Sequence, residues 1–531
     1  MNTLFMTQGS GLEMFYDVML AMNESSKLNK VGFYVTDSRF YNKFVQKNSQ
    51  FESEPFCLLK EWEIVRDSRD IKPDIELLEA YEKKIGRPFL WNAIVADRRI
   101  YFGRKYAYAQ DYTPRYKHEQ MLAILQVGLK RMESLFDTMR PDCVILFQCI
   151  TIGEYLSYLF ACARDIPILN LRPTRIRNYI YAGESVLEPS EQLRIKYEKL
   201  SEHGIKPSLK SEAINFLNEV RSTHAKYEGV VPVSNKPPVT ANSCRKQWNL
   251  SQIKRLVEQL KEEYRYRFGQ FQYDNHFSGY IGPYVARKVV RPFRARAMEK
   301  KFSQLYVKPD KLPNLNYAFF PLHTEPEVTM LGYSKTCLNQ IEVARLISHN
   351  LPVGMKLVVK EHPWAVGKRP IGYYKKLLEI PNVLLADPSL KSRDLVSDAR
   401  IITVIAGSIG FEGLMLKKPV IVLGKAPYNF LPSSMIRHVD NPGQMGDDIR
   451  DILENYEYNE KALLSYISAI INESVPVDLY TMFLGRKGVY RPEGKGDSQQ
   501  DHKDERKNQI ALLARYLMCR YLKVEKQTIM S

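Results

Sequence analysis

The sequence predicts an α/β protein with two doubly wound domains, each built around a parallel β-sheet. Three observations support this fold class. A strand, a glycine turn, a helix and a second strand open the chain, a similar unit occupies residues 143–171, and short apolar strands alternate with amphipathic helices from residue 317 to residue 423. With 531 residues, of which 44% are hydrophobic, the chain is long enough for two such domains and further segments.

The first Rossmann-like domain is expected over residues 1–180. Residues 2–7 and 31–35 are predicted strands, joined by a helix that starts after the glycine turn at residues 9–11. Residues 144–163 are apolar enough to be considered as a membrane span, but Gln148, Thr151 and Glu154 would be costly in hydrocarbon. This segment is therefore predicted to be a strand, a turn and a buried helix.

The rest of the chain divides into three parts. Long charged helices predict a helical insertion over residues 181–310, and a second Rossmann-like domain is expected over residues 311–485. A polar linker and a terminal helix complete the chain at residues 486–531. Because Ile510, Leu513 and Leu517 share one face of that helix, it has to pack somewhere, and a return to the first domain is one option.

A basic stretch lies within the predicted insertion. Over residues 283–301, lysines and arginines alternate with aromatic and aliphatic side chains. Such an amphipathic basic segment suits the surface of the inner membrane or an acidic polymer. It would equally suit the solvated face of a helix on a basic protein, so the pattern leaves both interpretations open.

The net charge and the cysteine content indicate which partners and which cellular location to expect. The formal net charge is +17, which favours anionic partners. The sequence has no zinc pattern, no aromatic RNP-like strand and no compact basic recognition helix, so nucleic acid is not the expected partner. The seven cysteines are scattered without a C-x-x-C pair, and the amino terminus lacks a secretory pattern. These features predict a cytoplasmic location, peripheral at the inner membrane if the basic stretch binds it.

Polar side chains follow predicted strands of the second domain, where open α/β sheets bind their ligands. Lys360 and His362 belong to a Lys-Glu-His-Pro segment, in which an imidazole can donate to a phosphate and a lysine can offset its charge. His323 and Glu325 belong to a Pro-Leu-His-Thr-Glu-Pro-Glu segment held between two prolines. They could bind substrate hydroxyls or form a solvated turn.

A third segment, Ala-Gly-Ser-Ile-Gly-Phe-Glu-Gly at residues 406–413, follows a strand and opens a helix. Gly407 would let backbone amides approach an anion at the helix start, and the Ser408 hydroxyl would add a donor. Glu412 lies one turn further on. Its carboxylate could accept from ribose hydroxyls or cap its own helix.

The order of these segments, followed by Pro-Val-Ile-Val-Leu-Gly-Lys-Ala-Pro-Tyr, resembles the bacterial capsule polysaccharide biosynthesis family over residues 317–431. The resemblance implies a two-domain GT-B glycosyltransferase, and the family includes Kdo transferases that use CMP-Kdo. It also implies that a nucleotide-sugar donor binds between the domains at His362 and Ser408, with the first domain on the acceptor side. Neither a metal nor another cofactor would then be needed, because imidazole and a helix start can stabilise the departing phosphate.

The catalytic base is harder to place. Kdo-transferring relatives carry a Glu-Asp-Gly-like element late in the first domain, where this sequence reads Leu-Asn-Leu-Arg-Pro-Thr-Arg at residues 169–175. Arg172 and Arg175 are therefore expected to bind an anionic donor or acceptor. Glu154 and Glu13 are the candidate bases, since each follows a predicted strand and turn. Each could instead be a carboxylate that complements a helix dipole.

Taken together, these features predict a glycosyltransferase of capsule or surface polysaccharide biosynthesis. It would move a sugar from a nucleotide donor to a polysaccharide or a lipid-linked acceptor, and the resemblance implies a Kdo-like sugar from a CMP donor. Two alternatives remain open at this point. One is a nucleotide-sugar epimerase or other enzyme of the same fold, and the other is a non-catalytic protein of polysaccharide assembly or export.

Overall fold

A computed structural model describes residues 1–9, 11–25, 27–86, 89–101, 114–149, 151–222, 250–269, 271–274, 289–325, 327–479 and 499–530. Within these residues the chain forms two seven-stranded sheets, each covered by helices. The predicted α/β class with two parallel-sheet domains is therefore confirmed. Each sheet is apolar on both faces, as expected of parallel strands covered by helices on both sides.

The first sheet has the strand order β14-β6-β5-β4-β1-β2-β3. Its strands are β1 Thr3–Thr7, β2 Val31–Val35, β3 Cys57–Lys60, β4 Cys143–Phe147, β5 Ile168–Pro173, β6 Tyr179–Gly183 and β14 Val475–Pro476. The first five are parallel, whereas β6 pairs antiparallel with β5, and β14 pairs antiparallel with β6. The sheet thus extends beyond residue 180 and takes its last strand from near residue 475.

Helices surround this sheet. They are α1 Gly11–Ser25, α2 Ser38–Lys47, α3 Gln50–Ser53, α4 Glu61–Asp67, α5 Ile75–Ile85, α6 Trp91–Ala96, α7 Arg98–Tyr101, α8 His118–Met139 and α9 Ile152–Ala163. Strand β4 and most of α9 are buried, so the described residues 144–149 and 151–163 include the strand and the buried helix that the sequence predicted. Among the described residues, no helix combines the length and apolar character needed to cross a membrane.

The described residues between 191 and 302 lie mostly in helices. These helices are α10 Glu191–His203, α11 Pro207–Ser222, α12 Leu250–Phe268 and α13 Arg291–Phe302. Helices α10 and α11 do not form a separate layer, because they pack on a later helix of the second domain and share its apolar core. Of the basic stretch, residues 283–288 lie outside the described residues. In α13, Arg291 donates to the carbonyl of Val366 at 2.9 Å and Arg294 to that of Lys368 at 3.0 Å, so both bind the protein itself.

The second sheet is parallel throughout and has the order β13-β12-β11-β8-β9-β10-β7. Its strands are β7 Tyr306–Val307, β8 Tyr317–Pro321, β9 Lys356–Lys360, β10 Val383–Ala386, β11 Ile401–Val404, β12 Val420–Val422 and β13 Ile436–His438. Its helices are α14 Val328–Tyr333, α15 Gln340–His349, α16 Ile371–Leu378, α17 Ser392–Asp398, α18 Ser408–Met415, α19 Met445–Glu454 and α20 Glu460–Glu473. Short 3₁₀ turns occupy Pro309–Asn314, Lys335–Cys337, Pro363–Ala365 and Pro442–Gln444.

The terminal helix, α21 Gln499–Met530, returns to the first domain and packs on α1. Its apolar face joins the core between α1 and the first sheet. Tyr516 accepts from the amide of Ala182 at 2.8 Å and donates to the carbonyl of Glu473 at 2.9 Å. Arg520, which is buried, donates to the Glu473 carboxylate at 2.8 Å. The helix therefore ties the first sheet to α20 of the second domain.

Candidate functional site

A cleft of about 610 Å³ lies where the two sheets face each other. The first domain contributes side chains at and beyond the carboxyl ends of β4 and β5, including Gln148, Arg172, Thr174 and Arg175. The second domain contributes its own loops beyond strand ends, including His323, Glu327, Lys360, His362, Gly407 and Ser408. The cleft thus forms at the edge where α/β sheets bind ligands.

The strand order explains why the three polar segments of the second domain meet. Strand β8 lies between β11 and β9, and these three strands end immediately before the three segments. Pro321 is paired with Lys360, and the amide of Leu322 donates to the Lys360 carbonyl at 2.9 Å. His323 and His362 therefore leave neighbouring strands at the same level, and Gly407 leaves the strand on the other side.

His362 is held by a buried carboxylate that precedes it in the chain. Its amide donates to Glu361 Oε1 at 2.7 Å, and its carbonyl accepts from the amide of Ala365 at 2.7 Å. Arg369 Nη1 donates to both oxygens of Glu361 at 2.5 Å, and the Tyr374 hydroxyl donates to Oε2 at 2.6 Å. These hydrogen bonds fix the backbone at His362 from the interior of the domain, and His362 itself is exposed at the cleft.

Arg369 also fixes the segment that contains His323. Its Nη2 donates to the carbonyl of His323 and to Glu325 Oε1, the latter at 3.3 Å. Gln340 accepts from the His323 amide at 2.7 Å and donates to Glu325. Glu325, which we expected to bind the donor, is buried in this support and is not among the residues that line the cleft.

His323 and Glu327 form a pair in the wall of the cleft. The Nδ1 atom of His323 lies 2.8 Å from Oε2 of Glu327. Burial raises the pKa of Glu327, but His323, Arg175 and His362 together outweigh burial and hold the pKa below its usual value. The opposite edge of the imidazole faces the glycine loop, where a methyl group on Gly407 would lie 3.2 Å from Cε1 and 3.3 Å from Nε2. Glu327 thus orients the imidazole with Nε2 towards that loop.

Gly407 and Ser408 begin α18 at the cleft. Gly407 is the extended N-cap residue and has no side chain to cap the helix, so the amides of its first turn can bind an anion. Tyr428 donates to the Gly407 carbonyl and occupies the space where a side chain on Gly410 would project. Glu412 lies inside α18, is buried, and is not among the residues that line the cleft.

Basic side chains surround the cleft. Arg172 lies over the Tyr333 ring at 4.7 Å and donates to the carbonyl of Ser185. Burial lowers the pKa of Lys360, which is enclosed at the end of β9, to about 8. Burial also lowers the pKa of Lys335 to about 8, and its Nζ lies 3.3 Å from the hydroxyl of Tyr155 across the domain boundary. Of these groups, Arg172 and Lys360 line the cleft, and together with Arg175 they favour an anionic ligand.

Glu154 and Glu13 lie elsewhere. Glu154 is fully buried in a capping box, where the Thr151 amide donates to its Oε2 at 3.0 Å and its own amide donates to the Thr151 hydroxyl at 3.2 Å. Gln8 donates to its other oxygen. Glu13 is exposed in the first turn of α1. Neither is among the residues that line the cleft, and both have the geometry of carboxylates at a helix start.

Glu361 and Arg369, which support the site from the interior, are among the residues that the sequence analysis missed. Both are charged and stand close to the Lys-Glu-His-Pro segment, but nothing in their spacing shows that they pair in the interior. Among the described residues, no group of three or more histidine, cysteine, aspartate and glutamate side chains is arranged to hold a metal ion.

Comparisons with known proteins bear on this site. The family model described as capsule polysaccharide biosynthesis protein matches residues 227–438. Protein FixF of Sinorhizobium fredii (strain NBRC 101917 / NGR234) is 29% identical over 139 residues, which cover 25% of this chain and 31% of that protein. This chain therefore spans about a third of that relative.

Two solved structures are similar to this chain, with low sequence identities and low TM-scores. The KpsC beta Kdo 2,7 transferase of Thermosulfurimonas dismutans shares 11% identity, with 64% of this chain and 80% of that chain covered and a TM-score of 0.32. The UDP-GlcNAc 2-epimerase of Neisseria meningitidis shares 14% identity, with 89% and 99% covered and a TM-score of 0.23. The match to the capsule polysaccharide biosynthesis protein model, over residues 227–438, includes the three polar segments that line or support the cleft.

Proposed function

We propose that this chain is a glycosyltransferase of capsule or surface polysaccharide biosynthesis. It binds a nucleotide sugar in the cleft and transfers the sugar to a polysaccharide or a lipid-linked acceptor. The observation that carries the proposal is that His362, Ser408 and Arg175 line one cleft between the two sheets. The volume of this cleft, about 610 Å³, lies in the range of pockets that enclose small ligands.

The donor phosphate would bind at the start of α18. The amides of its first turn and the Ser408 hydroxyl would donate to phosphate oxygens, and His362 would donate from the neighbouring strand. Arg172 and Arg175 would offset the remaining charge from the first domain. These groups would stabilise the negative charge that grows on the phosphate as its bond to the sugar breaks. Family resemblance makes a Kdo-like sugar on a CMP donor the first candidate.

His323 is the proton acceptor in this proposal. With Nδ1–H donating to Glu327, the Nε2 atom beside Gly407 would be the basic nitrogen on the side of the cleft. As the acceptor oxygen forms its bond to the sugar carbon, its proton would pass to Nε2, and the electron pair of the breaking bond would leave with the phosphate. This assignment replaces Glu154 and Glu13, neither of which is among the residues lining the cleft.

Nucleotide binding tests the site. Thermal-shift measurements across CMP, UDP, GDP and their sugars should identify one base that stabilises the protein. His362→Ala and Ser408→Ala should remove that shift. His349→Ala and Ser433→Ala are matched controls, because His349 and Ser433 are exposed in the same domain and are not among the residues lining the cleft. If the cleft variants bind every nucleotide as the parent does, the site is wrong.

Turnover separates the proposed reaction from its alternatives. Release of nucleotide that depends on an added acceptor would support transfer, whereas change of the donor sugar without an acceptor would favour an epimerase. Donor binding with no product under any condition would favour a protein of assembly or export. His323→Ala should retain donor binding but lose about 10²–10⁴-fold in transfer rate, the usual contribution of a general base.

A further inference from the structure

Helix α12 carries an apolar stripe that is exposed among the residues that the structure describes. Val257, Leu260, Tyr264 and Phe268 recur at intervals of three and four residues, so they share one face of the helix. Their exposed fractions are 45%, 49%, 67% and 71%. The rings of Tyr264 and Phe268 lie 5.4 Å apart between centroids, which makes the carboxyl end of the stripe an aromatic surface.

Basic side chains border this stripe. At 100° per residue, Lys254, Lys261 and Arg265 lie along one side of the stripe and Arg267 lies along the other. Lys254, Lys261, Arg265 and Arg267 are all exposed.

The acidic side chains of the last turns are paired with arginines. Glu262 pairs with Arg39 of α2 at 3.3 Å and with Arg265 at 3.1 Å, and Glu263 pairs with Arg267 at 2.8 Å. Because Arg265 and Arg267 are themselves paired with these carboxylates, the net positive charge of the border rests mainly on Lys254 and Lys261.

We infer that α12 binds the surface of an anionic lipid bilayer, with its apolar stripe in the boundary between headgroups and acyl chains. An exposed apolar face flanked by lysine and arginine is the pattern of a helix that lies in a membrane interface. The border complements the negative charge of such a surface. A polysaccharide would satisfy the cations but would leave four large apolar side chains in water, so it matches this face less well.

The position of α12 gives this surface a role in the proposed reaction. Ser38 and Arg39 follow the carboxyl end of β2. Ser38 donates to the Asp274 carboxylate from its amide at 3.0 Å and from its hydroxyl at 2.6 Å. Asp274 lies shortly after α12. These contacts anchor α12 at the carboxyl ends of the strands of the first sheet, the end that faces the cleft. A bilayer bound there would lie at the same end of the first sheet as the cleft, and a lipid-linked acceptor would approach the cleft from that bilayer.

Vesicle flotation tests the inference with the full chain. The probes are phosphatidylcholine vesicles with and without phosphatidylglycerol at about a third of the lipid. The parent should float with the anionic vesicles and much less with the neutral ones, and raising the salt concentration should weaken binding. Tyr264→Ser with Phe268→Ser should reduce binding at least about tenfold. Val353→Ser is the matched control, because Val353 is a fully exposed apolar residue that precedes β9 at the opposite end of its sheet.

A second double variant changes the charge of α12 at exposed positions only, so a loss of binding would not reflect a loss of folding. Lys254→Glu with Lys261→Glu changes only exposed side chains and should lower binding to anionic vesicles by a similar factor. Absence of flotation for the parent, equal flotation with both kinds of vesicle, or unchanged binding of both double variants would overturn the inference. So would a parent that forms dimers in solution, fails to bind vesicles and becomes monomeric on Phe268→Ser. None of these outcomes depends on nucleotide binding.

Discussion

Replacing Arg369 with leucine should destabilise the second domain by about 3–5 kcal/mol. The side chains of Arg369, Glu325 and Glu361 are exposed by only 0%, 3% and 2%, respectively. The guanidinium donates to both oxygens of Glu361 at 2.5 Å and to Glu325 at 3.3 Å. Without it, two buried carboxylates lose the cation that donates to both of them.

The expected loss of stability is large because the ion pairs of Arg369 are buried. Removing one partner of a buried ion pair leaves an uncompensated charge, which costs about 3–5 kcal/mol, whereas an exposed pair contributes about 0–1 kcal/mol. Arg345→Leu is the matched control, because Arg345 pairs with Glu342 at 3.2 Å on the exposed surface of α15. Combining Arg369→Leu with Glu325→Gln and Glu361→Gln should recover part of the loss, since neither carboxylate would then carry a buried charge.

Urea unfolding followed by circular dichroism measures both variants. The Arg369→Leu midpoint should fall clearly below that of Arg345→Leu with a similar dependence on urea concentration. Nucleotide binding should also weaken, because Glu361 accepts from the amide of His362 and Arg369 donates to the carbonyl of His323. A loss of less than about 1 kcal/mol, equal to that of the control, would refute the reasoning that this ion-pair group supports the site.

Three further changes should have defined effects. Gly153→Ala should cost about 1–3 kcal/mol or more in urea unfolding, because its methyl group would overlap the buried Tyr34 ring. Burial, followed in size by repulsion from the Asp37 carboxylate, raises the pKa of Asp274 to about 7. The contribution of Asp274 to the free energy of unfolding is therefore complete below about pH 4 and is lost as the pH rises through about 7. Asp274→Asn should flatten this part of the dependence of unfolding free energy on pH, and an unchanged slope would contradict the shift. Arg520→Leu should cost about 3 kcal/mol and expose α21 to proteolysis, because its buried pair with Glu473 would be broken.

Much of the fold could be predicted because parallel strands are continuous apolar runs. The same regularity located the segments that follow β8, β9 and β11, and general rules of α/β sheets place such segments beside a ligand. The sequence could not show how distant parts assemble. The pairing of β14 with β6 and the packing of α10 and α11 on α20 join residues far apart in the chain, and no local pattern encodes these contacts.

The supporting residues of the site were harder to predict than those that line it. Glu361 precedes the histidine of its motif, but its pairing with Arg369 depends on how the intervening turn folds. Glu325 stands beside His323 in the sequence, yet its carboxylate is directed into the interior. For Glu154 a signal did exist. Thr151 and Glu154 have the spacing of a capping box, which favours a structural role at the start of α9.

The central claim is that His362 and Ser408 bind the same donor phosphate. A crystal structure of the protein with the nucleotide that gives the largest thermal shift tests it most directly. We predict phosphate oxygens within about 3.2 Å of the Ser408 hydroxyl and of an imidazole nitrogen of His362. A nucleotide bound outside the cleft, or bound in it with its phosphates away from both side chains, would contradict that claim.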